Sequence, residues 1–543
     1  MLLPLVAAAV ALTVTFLYRK LQFLRFQQHA NLPQHATTLV LGHLRVFGDY
    51  VKRNKPDAHP DMAIVAMSQA LGRPPLMFID MRPIALPMVV VADHDIADQF
   101  TKPTPIFPTS PPKSSRSLDR LQYMLGLTSI FSTHGDEWKV LRKRFNPGFS
   151  PQYLLAFVPE TLDKGLLFME RLEALSKTGG SFSMMKLTTQ LTFDIIGKVV
   201  MEADLDAQHD SQGEAGELVE LFETLVDAYN GDRLNLPWWL NPAKTGRRAA
   251  LSSRINNLLQ SIVSRKYTEL HNKEGKDTEG SRSVLSMALQ DVETLTPRVM
   301  EETCDQLRTF LFAGHDSTAT LLSWAIYELS RTPHALRAVR AELDTLLGGD
   351  ANPVAVRAIL LERTDLSQQM HYIAAVIKET LRLHPPGGTA RAIPPGSGLT
   401  VRMPDGQQQC LDGLLVYNCH SLIHTDPKTY GPNAGDFVPE RWLSTDASKS
   451  VPAGAWRPFE RGPRNCIGQE LANLEARVIL ALTARHFDFC KVGMGEVVKD
   501  ENGQPRLDAN KQGQYQVGEE LYMIRQITSK PADGMMMTVG LAQ

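Results

Sequence analysis

Between Pro297 and Pro333 the chain has no further proline. Thr296 reads as a helix N-cap and Pro297 as the first helical residue. The run to Arg331 therefore predicts one helix of ~35 residues, about 50 Å, long enough to cross a whole domain. Helical patterns dominate from 136 to 386 on either side of this spine. A helix-like stretch at Asp61–Leu71 and β-like runs at 76–80 and 88–92 precede them. A Pro/Ser/Thr-rich loop covers 103–117, and turns and short strands follow 390. The expected fold is mainly α with small β-sheets.

The first residues do not fit a soluble body. Met1 to Tyr18 is apolar and uncharged, and Arg19, Lys20 and Arg25 follow. As a helix, ~18 residues span about 27 Å, enough for a thin bilayer. A cleaved leader carries its positive charge before the apolar run. Charge after the run keeps the remainder cytosolic. The expected organisation is a transmembrane anchor at 1–18, a linker or hinge at 19–50 and one large domain at 51–543. A net charge of −2 and no basic tract give no sign of a nucleic-acid binder. Five cysteines without a CxxC pair suggest reduced thiols rather than a disulfide framework.

One of those cysteines sits in Phe459-Glu-Arg-Gly-Pro-Arg-Asn-Cys466-Ile-Gly468, ahead of an apolar helical run at Leu471–Leu482. Arginines 461 and 464, backbone N–H groups and a helix start are what a thiolate needs to stay deprotonated. The glycines let backbone approach a flat ligand closely. A lone cysteine is most often a buried structural residue. Five uncommon residues at the fixed spacing Phe-x-x-Gly-x-Arg-x-Cys-x-Gly outweigh that reading.

This segment resembles the haem-binding loop of the cytochrome P-450 monooxygenases. The resemblance implies a single haem domain in which Cys466 is the thiolate ligand of haem b iron. Arg464 would pair with a propionate, Phe459 would pack beside the sulfur, and Gly468 would complete the loop. Ala313-Gly-His-Asp-Ser-Thr318 lies within the long helix and is similar to the family's oxygen-binding segment. Glycine there costs about 1 kcal/mol relative to alanine, and Asp and Ser compete for backbone hydrogen bonds, so a local opening is expected. By resemblance Ala313 and Gly314 lie against the cofactor. Asp316 and Ser317 would relay protons during oxygen activation, with Thr318 a second candidate hydroxyl. Trp138 and Arg142, four apart on one helix, match the family's propionate-binding helix, and Arg391 is placed as a further propionate cation. Glu379, Arg382 and Arg441 match its buried structural network. Lys530–Gly534 looks like its last hairpin.

The implied reaction inserts one atom of O2 into a lipophilic substrate, with two electrons from NADPH through a separate flavoprotein reductase. Lys139, Lys143, Arg144, Arg457 and Arg461 are expected to make the cysteine side basic for that partner. Regions 104–134, 229–248 and the residues after Pro386 are expected to line the pocket. The apolar turn at 235–240 is a candidate membrane entry, and Gly387, Gly388, Thr389 and Ala390 would leave room beside the haem. The text resembles filamentous-fungal members of secondary metabolism, so a polyketide or terpenoid intermediate and an endoplasmic-reticulum membrane location are expected. Two alternatives stay open: a reductase-independent isomerase, dehydratase or peroxygenase, and a non-catalytic membrane haem protein.

Overall fold

The long proline-free run forms one helix, Pro297–Arg331 (α6), in the computed structural model. That model describes residues 2–542 except 210–212, 231–240, 272–282, 445, 447–449, 502–503 and 507–513. Thr296 caps α6 by accepting from the Val299 N–H, with Pro297 at its first turn. Nearly every residue from Thr303 to Leu329 is buried, so α6 is a core helix rather than an amphipathic one. No opening interrupts it at 313–318, contrary to the expectation from Gly314, Asp316 and Ser317.

The reason for Gly314 is a neighbour. Helix Met184–Met201 (α5) packs along α6, and a Cβ at position 314 would stand 2.6 Å from Ile196 Cδ1. Overpacking of that kind costs about 1–3 kcal/mol, against about 1 kcal/mol for glycine in a helix. Glycine wins, and the helix stays whole. Thr192 Oγ1 donates to the His315 carbonyl at 2.9 Å, and Thr188 reaches Ala319 and Ser323 from the same helix. His315 stacks on Phe193 at 3.7 Å between ring centroids. Burial pushes its pKa down to about 4, so it is a neutral core histidine.

The chain divides into two compact units. The larger comprises Ser115–Gly387, Gly435–Val451 and Asn465–Gln543. It holds α5, α6, helix His371–Leu383 (α7) and helix Gln469–His486 (α8). Strands β3 (Phe182–Ser183), β8 (Phe487–Lys491) and β11 (Met536–Leu541) form one small sheet, with β11 in the middle. Strands β9 (Met523–Arg525) and β10 (Ser529–Pro531) form an antiparallel hairpin.

The smaller unit comprises Met1–Ser114, Gly388–Ala434 and Pro452–Arg464. Its sheet runs β1-β2-β7-β4, from strands Leu76–Ile79, Met88–Val91, Leu415–Asn418 and Thr389–Ala392. The unit also holds helix Pro60–Ala70 (α2) and the hairpin of β5 (Thr400–Arg402) with β6 (Gln408–Cys410). Successive side chains of a strand face opposite ways. Leu76, Phe78, Val89 and Val91 accordingly join one apolar cluster, while Met77, Ile79 and Val90 join another. Both faces are covered, which is why these runs are continuously apolar. Gly388 serves this sheet, since a Cβ there would meet Tyr417 Oη at 2.5 Å and the Asn418 carbonyl at 2.6 Å. Its smallness is therefore required by strand packing, a correction to the expectation of free room. Two further expectations need adjusting. A helix at Ser115–Leu125 takes the end of the Pro/Ser/Thr loop, and 235–240 lies outside the described residues. At the N-terminus, helix Leu2–Gln22 (α1) has no buried part.

Candidate functional site

Cys466 ends a loop two residues before α8, whose N-cap is Gly468. Cys466 is an exposed residue that lines a hollow of about 440 Å³ with Arg142, Asn146, Phe149 and Asn465. A Cβ at position 468 would meet Sγ at 4.0 Å, an ordinary contact, so the sulfur does not by itself require glycine there. Arg142 lies on helix Gly135–Phe145 (α4). It donates to the Asn465 carbonyl at 2.8 Å and to Asn465 Oδ1 at 3.0 Å, fastening the residue before the cysteine. Trp138 is buried on the same helix. Burial pushes the Cys466 thiol pKa up; the Gly468 N–H and Arg142 work against this without overcoming it. A coordinated metal's own charge deprotonates a thiol outright.

On α6 the open face is narrow. Ala313 is exposed, Gly314 and Ser317 are partly so, and Asp316 and Thr318 are buried. Residues four apart share a helix face, so Ala313 and Ser317 line one stripe. Ser317 Oγ donates back to the Ala313 carbonyl at 2.7 Å. Asp316 faces elsewhere. Its carboxylate pairs with Lys530 Nζ at 2.5 Å and accepts from Thr528 Oγ1 at 2.5 Å, both from the β9–β10 hairpin. Burial pushes this carboxyl up, but Lys530 outweighs it and holds the pKa below the ordinary value. Nothing in the sequence spacing tied 528 and 530 to 316.

The first half of the cysteine loop belongs to the smaller unit. Arg457 is 1% exposed. It donates to Glu460 at 2.8 and 2.5 Å and to Thr101 Oγ1 at 3.1 Å, and pairs with Asp98 at 3.3 Å. Asp98 and Thr101 sit on helix His94–Thr101 (α3). Glu460 has φ +55°, a strain of about 1–3 kcal/mol for a non-glycine residue. Burial raises its pKa, yet hydrogen bonding to His420 and the charge of Arg457 hold it well below the carboxylate range. At Gly462 (φ +78°) a Cβ would stand 2.0 Å from the Thr101 carbonyl, so this glycine serves close backbone packing. Phe459 packs edge-on to Trp456 at 6.0 Å.

In the same unit Lys113, Arg391 and Arg464 are gathered. Arg391 on β4 is 5% exposed and donates to Ser110 Oγ and the Ala390 carbonyl. Burial first, then the charges of Arg464 and Arg391, push the Lys113 pKa well below the ordinary value. Arg464 and Arg391 thus stand near enough to Lys113 to disfavour its charge, an arrangement that an anion would relieve. Lys113 was missed in the sequence because it lies in a loop with no motif. The expected basic face is narrower than five residues. Arg457 is buried, Arg461 pairs with Asp98, and Arg144 donates to the Ala288 carbonyl. Of the five, Lys139 and Lys143 remain exposed, both on α4.

Glu379 and Arg382 on α7 are fully buried, and Arg441 joins them. Glu379 accepts from Arg382, Arg441 (3.0 Å), Trp442 Nε1 (2.9 Å) and the Val438 N–H (2.9 Å). Loop 126–133 is fixed to α6 by Asp305, which accepts from Thr128, and by Gln306, which accepts from the Ile130 N–H.

Among the described residues no group of three or more His, Cys, Asp and Glu side chains can hold a metal. A metal at Cys466 would take its other ligands from a prosthetic group. The exposed Cys466 and the open stripe on α6, both in the larger unit, suit haem, and the cations of the smaller unit suit its propionates. The residues present thus suit the haem-thiolate class. Residues 42–517 match the family described as Cytochrome P-450, and the chain belongs to that family. It is 28% identical to the cytochrome P-450 monooxygenase polC of Polytolypa hystricis, over 94% of this chain and 91% of that protein. It is 29% identical to the cytochrome P-450 monooxygenase acrF of Aspergillus aculeatus, over 89% and 97% respectively. The crystal structure of the cytochrome P-450DA heme domain shares the fold, with a TM-score of 0.69 at 19% identity over 94% of this chain and 98% of that one. The chain is thus a P-450 oxidoreductase.

Proposed function

We propose that this protein is a membrane-anchored monooxygenase that places one oxygen atom of O2 into a lipophilic polyketide or terpenoid intermediate. Haem, when bound, supplies the oxidation, drawing two electrons from NADPH by way of a separate flavoprotein reductase. Cys466 Sγ would hold the haem iron, and the Gly468 N–H would tune that sulfur. In the smaller unit Arg464, Arg391 and Lys113 suit a propionate, as Trp138 and Arg142 do in the larger, and by resemblance Phe459 would pack beside the sulfur. Ala313 and Gly314 flank the cofactor. Ser317 Oγ, on the exposed stripe of α6, takes up and hands on protons there. Thr318 is buried off that stripe, which favours Ser317 as the working hydroxyl. Asp316, the acid of the family's relay by resemblance, is ionised beside Lys530 and would take up a proton before passing one on. The exposed lysines of α4 suit an acidic reductase surface.

The substrate class rests on the resemblance to fungal members and on both relatives being fungal monooxygenases. Helix α1 makes up most of an apolar helical run at Pro4–Gln27 whose most apolar stretch is unburied, which supports a single-pass anchor in the endoplasmic reticulum membrane. One observation carries the reading: an exposed Cys466 lining a hollow edged by Arg142, within the family's loop. The test is a reduced, carbon monoxide-bound difference spectrum of membranes carrying the chain or its Cys466→Ala variant. The red-shifted Soret band of a thiolate-ligated haem is expected only with Cys466. NADPH-dependent turnover with reductase separates monooxygenation from reductase-independent chemistry.

A further inference from the structure

The helix continuing from α1 ends in a cation that water does not reach. Arg25 is 5% exposed, on a π-helical turn at Phe23–Gln27 that follows α1 directly. Its guanidinium pairs with Asp80 Oδ2 at 2.6 Å and donates to the carbonyls of Leu39 (3.1 Å), Val40 (2.7 Å) and Arg82 (3.0 Å). Arg82 answers in the other direction. It donates to the Leu24 carbonyl at 2.7 Å and to Gln28 Oε1 at 3.2 Å, while holding both Asp80 oxygens at 2.9 and 2.8 Å. Asp80 follows β1 directly, and its backbone is bonded in both directions to His43. Burial pushes the Asp80 carboxyl up, but its hydrogen bonds from Arg82 and Arg25 more than compensate, so it stays charged.

The segment between has little freedom either. Gly42 has φ +55°, and a Cβ there would stand 2.5 Å from Arg25 Nη1 and 2.7 Å from the Asp80 carbonyl. Leu32 lies in the core of the smaller unit, and the Pro33 carbonyl accepts from the Phe78 N–H on β1. Around this joint five large apolar side chains remain uncovered: Phe23 (51% exposed), Phe26 (47%), Val40 (67%), Leu41 (48%) and Leu86 (47%). They sit on the three segments that Arg25, Asp80 and Arg82 tie together. Such a patch marks an interaction surface, and this one is continuous with an unburied apolar helix.

We propose that the membrane anchor is a rigid arm fixed to the body by the Arg25–Asp80–Arg82 clamp. The five apolar side chains then form a collar that rests in the headgroup layer of the bilayer. The inference depends on reading α1 as a membrane anchor. Arg25 is spent on the clamp, which leaves Arg19 and Lys20 as the flanking charges that meet lipid phosphates.

The test uses the full haem-loaded chain in phosphatidylcholine vesicles, with a photoreactive benzoylphenylalanine replacing either Leu12 or Leu41. Lipid adducts are expected at both positions. In Arg25→Ala, and in the gentler Asp80→Asn, adducts at 12 persist, while those at 41 fall at least about fivefold as the body samples other orientations. The haem spectrum of each variant reports that the body remains folded. Adducts at 12 but not at 41 would overturn the collar. Adducts at 41 that both variants preserve would overturn the clamp, and none at 12 would remove the anchor on which both depend.

Discussion

On α8 the carboxyl of Glu475 is 1% exposed, and one of its oxygens has no hydrogen-bond partner. Burial alone pushes its pKa well above the ordinary value. The native state therefore keeps a proton that the unfolded chain releases near pH 4.5. The sign follows from linkage. Stability is greatest below the unfolded pKa and falls as pH rises toward the native one. Glu475→Gln fixes the side chain neutral and removes this penalty. Its melting temperature is expected to exceed the parent's by a few degrees at pH 8 and to converge with it at pH 4.5, in a thermal series across that range. A variant less stable at every pH would mean that the carboxyl has a native partner. Gly314 makes a related point about single residues. Its backbone cost was readable from the sequence, but its cause, Ile196 on another helix, was not.

Among the elements, α6 and the β9–β10 hairpin are joined by a buried ion pair, Asp316 with Lys530. Removing one member leaves a charge stranded in the core, at a cost of about 3–5 kcal/mol. Lys530→Met should lower stability by about that much in urea titration. Asp316→Asn added to it should recover most of the loss, since the stranded charge goes with it. Simple additivity of the two losses would show that they act independently. The pair also marks what the sequence could convey. Local patterns gave α6 with its Thr296 cap, strands β1 and β2, and the Glu379–Arg382 spacing, because these obey periodicities of 3.6 or 2. The loop of Cys466 was legible as a fixed spacing. Tertiary partners were not: Lys530 for Asp316, Asn465 for Arg142, Thr101 for Gly462 and Lys113 beside Arg391 are set by chain crossings that no local pattern encodes.

For the molecule as a whole, the proposed cofactor is also a term in stability. A ligand that binds only the folded state stabilises it by mass action. Burial opposes a charge on Lys113 in the smaller unit, and Arg464 and Arg391 oppose it further. Propionates would turn the repulsion into attraction, so one substitution should act with opposite signs on the two forms. Lys113→Met removes a buried like charge from the haem-free protein and is expected to raise its melting temperature by about 1–3 °C. In the haem-loaded protein the same change removes a counter-charge. Haem should then pass to an excess of apoglobin about tenfold faster, the equivalent of about 1.4 kcal/mol. Parallel melting curves and the haem-transfer rate measure both effects on one pair of proteins. A loss of stability in both forms would reduce Lys113 to a packing residue. Unchanged transfer with a stabilised haem-free form would place the propionates away from this cluster.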